Sequence, residues 1–427
     1  MYISQQIAAM AVSDVLGGRN LTLALPEALD IFPKATPQQK GGAADLSYGT
    51  LRFYGEVNAY LTRLLEKPLS NVDINSLLLV AIYQLLHDKA EDFTIVNQAV
   101  KAAGYAKPRW AKSLVNGVLR NFLRKKEALR SSLERDEEAV YSYPKWWINK
   151  LKVQYPQHWQ AILEVGNSHP PMTLRVNRRK SSADEYIKLL AHQGIEAEKL
   201  AIETVMLAKP IPVEQVPGFA EGVVSVQDYG AQLAAKLLDL KTDMQVLDAC
   251  SAPGGKAGHV LELSDVQLTA LDNDVQRLKR VESNLKRLNL AADCQLGDAG
   301  TWQVGQSFDC ILADVPCTAS GIVRRHVDIK WLRRESDIVS FVQQQALILA
   351  NLWQLLSKGG KLLYVTCSIF DEENQQQIDG FLERNKDATQ LPLELAADRA
   401  NNFNIQHGQL IPTKTHDGFF YALLQKS

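Results

Sequence analysis

The 427-residue sequence predicts a multidomain α and α/β fold, and three observations carry that prediction. Residues 1–140 hold only apolar patterns of helical period. Residues 141–228 mix strand-like and helix-like stretches at short spacing, as in linker helices leading into a small α+β subdomain. From residue 229 to 427 short strand-like runs alternate with helical stretches, the rhythm of a mostly parallel sheet covered on both faces. At this length two or three cores are expected rather than one.

The first region opens with MYISQQIAAMAVSDVL, whose apolar residues are interrupted by Gln, Ser and Asp. It reads as an amphipathic helix and not as a signal peptide. Over 73–87, Ile74, Leu77, Leu78, Ala81, Ile82 and Leu85 fall at the helical period, with Asp73 as candidate cap. Further helices are predicted over 93–103, stopped by Gly104, and from Arg109 to about Arg124 after Pro108. Between Phe93 and Lys126 there is no acidic residue, while Lys101, Lys107, Arg109, Lys112, Arg120, Arg124, Lys125 and Lys126 are basic. Lys112, Asn116, Arg120 and Arg124 recur every four residues, so they share a helix face. A single sign on a single stripe points to nucleic acid as strongly as to a plain solvated face.

The segment YSYPKWW (Tyr141, Tyr143, Trp146, Trp147) reads as a linker into short helices, its aromatics more suited to packing than to stacking on bases. MTLRVN, ADEYIKLLAHQG and TVMLA then supply the strands and helix of the middle subdomain. In the last region the strand-like runs are MQVLDAC, QLTALDN, ADCQLGD, FDCILAD, KLLYVTC and GFFYALL.

Composition narrows the function classes. Basic and acidic residues nearly cancel, 47 against 48. No apolar run approaches the ~20 residues of a membrane span. The five cysteines, Cys250, Cys294, Cys310, Cys317 and Cys367, are odd in number and form no CxxC pair. That argues against a disulfide framework or a zinc site and for a reducing cytoplasmic setting without a metal.

The chemistry gathers at the strand ends. The first strand runs into VLDACSAPGGKAGHV, where Gly254 and Gly255 open a helix and permit close backbone approach to a ligand. The spacing matches neither the dinucleotide fingerprint nor the phosphate loop, since Lys256 is followed by Ala257. Asp272 ends the next strand, where an acid can take the two hydroxyls of a ribose. Asp298 and Asp314 follow at the ends of later strands. One such aspartate alone would be a helix cap. An ordered set at successive carboxyl ends describes one pocket for a nucleoside-type cofactor. Cys294 and Cys310 sit inside apolar strand patterns and read as buried structural thiols. Cys317 and Cys367 lie where strands open into that pocket.

CSAPGGK, ALDND, GDA, ADVPC and YVTCS, in this order and spacing, resemble the RNA (cytosine-5)-methyltransferases that use S-adenosylmethionine. DLSYGTLR and LVNGVLRNFLR are similar to the NusB-type helical RNA-binding domain, and GIVRRHVDIKWLRR occupies the place of a further family segment. The resemblance covers the chain end to end, in the branch that acts on 16S ribosomal RNA. It implies a NusB-like N-terminal domain and a Rossmann-like class I methyltransferase domain. It implies S-adenosylmethionine held by Cys250, Ser251, Ala252, Pro253, Gly254, Gly255, Lys256, Asp272, Arg277, Asp298 and Asp314. It also implies 16S ribosomal RNA as partner, a monomer, and no membrane or metal.

Carbon 5 of cytosine is a poor nucleophile. A thiolate that adds to carbon 6 turns it into an enamine able to take a methyl group, and must later be expelled. One cysteine is required and a second can assist release. Spacing does not say which attacks: a Pro-Cys motif would make it Cys317, a Thr-Cys motif Cys367. The resemblance to the RNA enzymes assigns attack to Cys367 and release to Cys317, with Asp314 on the cytosine ring edge and Lys256 beside it. The basic run after Cys317, with Arg324, Arg325, His326 and Lys330, reads as a loop holding RNA around an extruded base, alongside Lys112, Arg120 and Arg124. The other reading is an RNA-binding antitermination-type factor with an inactive methyltransferase domain. The presence of every strand-end acid and both thiols favours the enzyme.

Overall fold

The structure, a computed structural model, describes residues 1–87, 89–104, 110–393 and 407–427, so Lys107, Pro108 and Arg109 of the basic stretch lie outside the described residues. The chain divides into two compact units: Met1–Ser168 with Val323–Glu335, and His169–Ile322 with Ser336–Ser427.

The first unit is helical. Its helices start where polar side chains satisfy the first free N–H groups. Asn20 accepts from Leu23 N, and Thr36 with Gln39 forms a capping box ahead of the helix Pro37–Arg52. The helix predicted over 73–87 runs from Val72 to Leu86, and its cap is Asn71, which accepts from Ile74 N. Asp73 lies one residue inside the first turn, where its charge meets the positive end of the helix dipole. Leu77, Leu78, Leu79, Val80, Ala81 and Ile82 are all buried, so this helix is enclosed on every side and forms the axis of the unit. The long helix Ala111–Leu133 buries Val115, Val118, Leu119 and Phe122 on one face. Lys112, Arg120 and Arg124 are exposed on another.

Two segments join this unit against the expectation from sequence. Residues 141–168, read as the lead-in to the middle subdomain, pack as the helices Lys145–Gln154 and Trp159–Gly166 of the helical unit. Residues 323–335, which interrupt the second unit in sequence, also belong here. Val327 and Leu332 enter the helical core. Asp328 accepts from Leu21 N at 2.9 Å, and Trp331 Nε1 donates to Leu51 O at 2.7 Å. Lys330 is wholly buried and donates to Arg52 O, Ser142 O and Asn167 Oδ1 at 2.7, 2.9 and 2.8 Å. Its ammonium also lies 4.3 Å from the Tyr143 ring centroid. Burial, with Arg52 nearby, pushes its pKa well below the usual lysine value. The assignment of Lys330 and Arg324 to RNA is therefore corrected: both are buried, and Lys330 ties three backbone and side-chain oxygens together. A basic run looks the same in sequence whether it is solvated or clamped. Arg325 is half-buried and His326 exposed.

The second unit carries two sheets. The smaller is antiparallel, in the order β2–β3–β1–β4: β1 Met172–Val176, β2 Ala197–Lys199, β3 Thr204–Leu207 and β4 Val224–Val226. The helix Ala183–His192, opened by a Ser182–Glu185 capping box, joins β1 to β2. The larger sheet holds β5 Gln245–Asp248, β6 Gln267–Asp272, β7 Asp293–Leu296, β8 Phe308–Asp314, β9 Leu356–Thr366, β10 Ala388–Leu391 and β12 Phe419–Lys426, with β11 Gln409–Leu410 paired to β12. The order is β10–β12–β9–β8–β5–β6–β7. The strands from β7 to β9 run parallel, and β12 enters antiparallel beside β9. One apolar cluster centres on Val246, Leu312, Leu363 and the helix residues Val260 and Val281; another sets Leu247, Ile311 and Tyr364 against Leu349, Leu352 and Trp353. The chain leaves β5 toward β6 and β7, then returns to place β8 on its other side. The sheet thus reverses its winding between β5 and β8, the position where open α/β sheets bind ligands. Among the described residues no helix is long and apolar enough to cross a membrane, and no group of His, Cys, Asp or Glu could hold a metal ion.

Removing the Lys330 ammonium leaves two buried carbonyls and an amide oxygen without their donor. Lys330→Ala is expected to destabilise the chain by about 2–4 kcal/mol, read as a lower denaturation midpoint and as faster hydrogen exchange in residues 1–168. Unchanged stability would show that the clamp contributes nothing.

Candidate active site

Five strand ends, those of β5, β6, β7, β8 and β9, carry the residues around the switch between β5 and β8. β5 delivers Asp248, which is buried and accepts from Ser251 Oγ at 2.9 Å. Its other oxygen has no hydrogen-bond partner. Burial, opposed by Ser251, pushes the Asp248 carboxyl up to about 7.

The loop after β5 turns tightly. Gly254 sits at φ +93°, a left-handed conformation that favours glycine, and a Cβ there would meet Val281 Cα at 3.1 Å. Ser251 N donates to Leu271 O and Ala252 N to Asp272 Oδ2, at 2.9 and 3.1 Å, which lashes the loop to the end of β6. Pro253 O accepts from Asn284 Nδ2. Asp272 is buried, also accepts from Asp274 N, and lies 3.2 Å from Arg277 Nη2. Cys250 is half-buried, its thiol pushed up by burial beside Asp314, Asp248 and Asp272. Asp298, two residues past β7, is exposed and accepts from Gly300 N.

Arg175 of β1 steadies this loop from the smaller sheet. It is buried, forms a two-pronged pair with Glu262, and donates to Gly255 O at 2.7 Å. No sequence signal marked it, because an arginine inside an alternating strand reads as a solvent-facing residue.

Lys256 lies at the start of the helix Gly255–Leu263, and its Nζ is 2.6 Å from Asp314 Oδ2 at the end of β8. Burial opposes the ammonium, but Asp314 outweighs it and the pKa is raised, with Cys367 contributing in the same direction. Three residues beyond β8, Cys317 is buried; one residue beyond β9, Cys367 is half-buried. The two sulfurs are 3.4 Å apart, both as free thiols. Their hydrogen bond, then burial, pushes the Cys317 thiol well above its ordinary value, so Cys317 keeps its proton. Lys256, Asp314, Cys317 and Cys367 thus meet in one crevice. Cys310 is in the core, its thiol pushed up to about 11 by burial, and takes no part.

Behind the two thiols is a polar cluster that sequence reading missed. Glu373 is fully buried and accepts from Thr318 N at 2.8 Å, Thr318 Oγ1, Ser368 Oγ and Gln345 Nε2. Ser320 Oγ and Ser368 Oγ are 2.9 Å apart, and Ile369 N donates to Ser320 Oγ. In the run DEEN, nothing distinguishes Glu373 from Asp371 and Glu372, which lie nearer the surface.

Residues 235–425 match the family model described as 16S rRNA methyltransferase RsmB/F, residues 143–214 the ferredoxin-like domain of RsmF/B-like methyltransferases, and residues 3–124 the NusB family. The ribosomal RNA small subunit methyltransferase B of Pseudomonas syringae pv. tomato is 41% identical over 98% of this chain and 96% of its own. Its namesake from Photorhabdus laumondii is 40% identical over 100% and 99%. Among solved structures, PH0851 covers 100% of this chain and 99% of its own at TM-score 0.82 and 23% identity, a likeness of fold. A methyltransferase homolog protein from Pyrococcus horikoshii covers 68% and 98% at TM-score 0.58 and 27% identity.

The raised Asp248 carboxyl has a signed consequence. Between the ordinary carboxylate range and about 7, the folded chain holds a proton that the unfolded chain has lost, so this group's contribution to stability falls as pH rises through that window. Asp248→Asn is neutral throughout and escapes the loss. Its stability relative to the parent is expected to grow by about 2–4 kcal/mol between pH 4.5 and 7.5, measured by denaturant unfolding at both values. A difference that does not change with pH would contradict a protonated carboxyl at this strand end.

Proposed function

The chain belongs to the RsmB/F family of 16S rRNA methyltransferases, and from that premise we propose that it methylates carbon 5 of a cytosine in 16S ribosomal RNA through a covalent adduct on Cys367. The observation that carries this reading is the pair of sulfurs 3.4 Å apart, on neighbouring strand ends, beside the Lys256–Asp314 pair. Two structural cysteines would not need to face each other at neighbouring strand ends beside an ion pair.

The residues present fit S-adenosylmethionine. Asp272 offers a buried carboxylate at the end of β6, and Asp248 leaves a buried oxygen unpartnered at the end of β5, beside the glycine turn at Gly254. The loop from Cys250 to Lys256, with Asp272, Arg277, Asp298 and Asp314, would hold it. When bound, this cofactor supplies an electrophilic methyl group on a sulfonium.

The Cys367 thiolate adds to carbon 6 of the base. The sulfur–carbon bond forms, and the electron pair of the 5,6 double bond moves through the ring to nitrogen 3, which takes up a proton. Asp314, held by Lys256, accepts the hydrogen bond of the protonated ring edge. Carbon 5, now enamine-like, would take the methyl group, the donor leaving as its thioether. Loss of the carbon 5 proton and of the nitrogen 3 proton to water then re-forms the 5,6 double bond and the neutral ring, the bond to Cys367 breaks, and the thiolate leaves. Cys317, still protonated, donates to the departing sulfur. The exposed stripe of Lys112, Arg120 and Arg124, with Arg325 and His326, contributes RNA contacts, in a cytoplasmic monomer.

Separate thiols for attack and release predict separate failures. Cys367→Ala is expected to transfer no methyl group and to form no adduct. Cys317→Ala is expected to attack and methylate once, then resolve slowly, accumulating a protein–RNA species that survives denaturing electrophoresis. The trapped species in Cys367→Ala instead would exchange the two roles. Bisulfite sequencing of RNA methylated in vitro identifies the atom modified.

Changing Lys112, Arg120 and Arg124 together to Glu is expected to weaken RNA binding and to reduce the slope of log affinity against log salt by about 2 or more, because phosphate contacts release counterions. Calorimetric affinity for S-adenosylhomocysteine should stay the same. An unchanged salt slope would make the stripe a solvated face.

A further inference from the structure

The loop after β8 and the loop after β9 carry the two thiols, and no hydrogen bond between the strands themselves reaches that far: the paired register ends at Asp314 and Val365. Beyond that point the loops are joined by two backbone bonds, Val315 N to Val365 O at 3.1 Å and Gly321 N to Cys367 O, and by side chains converging on one carboxylate. Glu373 receives the backbone N–H and hydroxyl of Thr318, next to Cys317, and the hydroxyl of Ser368, next to Cys367. Gln345 donates both to Glu373 at 3.1 Å and to Pro316 O at 3.0 Å, on the other flank of Cys317. Tyr364 of β9 donates to Glu373 O at 2.8 Å, fixing the carboxylate's own backbone. Asn374 continues the tie, donating to Ser368 O at 3.0 Å and accepting from Thr366 Oγ1. The close approach of the loops is completed where Gly321 N donates to Cys367 O at 2.8 Å. A Cβ on Gly321 would come within 2.3 Å of Gly418 O.

We propose that Glu373 is a positioning residue of the methyl-transfer reaction, holding Cys317 and Cys367 at the spacing that lets one sulfur attack while the other serves its release. This inference rests on the covalent reading of the two thiols given above. Glu373 touches neither sulfur through a hydrogen bond; it acts through Thr318 and Ser368. A carboxylate suits the task because its two oxygens accept several donors at once, and hydrogen bonds to a charged group are the stronger ones. Its negative charge also helps keep Cys317 protonated.

The test needs a readout of spacing that does not depend on methylation. Phenylarsine oxide provides one: its arsenic–oxygen bond gives way to two arsenic–sulfur bonds with release of one water, and a stable product needs two thiols in reach. The parent chain is expected to take up one arsenical at Cys317 and Cys367, a product absent from Cys317→Ala and Cys367→Ala. Glu373→Gln, which keeps the shape and removes the charge, should lose that capture and lower kcat by about 10²-fold, the scale of a catalytic group displaced by about an ångström. Its KM for RNA and its affinity for S-adenosylhomocysteine should stay at the parent values, since the hydrogen bonds of Glu373 go to Thr318, Ser368, Gln345 and Tyr364 and not to the loop from Cys250 to Lys256. If Glu373→Gln does not fold, Thr318→Val decides, removing one hydroxyl from the same carboxylate at nearly constant volume and giving a smaller loss of both capture and kcat. Parental capture and parental kcat in a folded variant would overturn the proposal, and so would lost capture with full turnover. Capture that depends on Glu373 in a parent that places no methyl group on carbon 5 would leave the spacing role standing and remove the proposed function instead.

Discussion

The reversal of strand order beside β5 is the constraint on which the chemistry depends. Parallel strands point their carboxyl ends the same way, and a sheet wound outward in both directions from one strand leaves a gap there that no connection covers. Residues far apart in sequence arrive at that gap without travelling through the core. Lys256 reaches Asp314 over a separation of 58 residues, and Cys317 reaches Cys367 over 50. The antiparallel β12 then closes the far side of β9, so the loops bearing the thiols have packed protein around them rather than an open sheet edge.

Charge is distributed in this unit by pairing rather than by exposure. Arg175 is enclosed with Glu262, Lys256 is met by Asp314, and Glu203 sits between His259 and Lys236. Each pair carries a desolvation cost that only good geometry recovers, so these are places where a side chain's position is specified rather than approximate. Among the described residues Asp248 and Glu373 have no cationic partner: burial pushes the Asp248 carboxyl up to about 7, and Glu373 is met by neutral donors from Thr318, Ser368 and Gln345. A site that depends on the position of a few polar groups benefits from such specification more than from added apolar area.

Much of this was readable in the sequence. The strand-end acids, the glycine turn and the two thiols follow from short apolar runs ending in residues with chemistry, and the parallel register places those ends together. The helical N-terminal region and its exposed basic face follow from the 3.6 period. What escaped was decided by tertiary context. Asn71 is the cap in place of Asp73 because the helix begins two residues earlier than one capped at Asp73 would, a difference that local pattern does not settle. Lys330, Arg324, Arg175 and Glu373 are charged residues deep in the protein, and charge in a sequence argues for a solvated face until a specific set of partners is known. The polar, aromatic stretch 141–168 looked like a linker because its burial depends on Tyr143 and Trp147 packing at long range, not on periodicity.

The insertion of residues 323–335 into the helical unit has a consequence for how the chain is made. A ribosome releases the helices of residues 1–168 long before it reaches Val327, Lys330 and Leu332. Until then the helical core lacks two apolar residues, and the carbonyls of Arg52 and Ser142 lack the ammonium that they share in the finished protein. Vectorial synthesis therefore leaves the first unit incomplete until most of the second has emerged. The two halves must mature together, and a nascent chain cut off before residue 330 carries a helical unit with a hole in it.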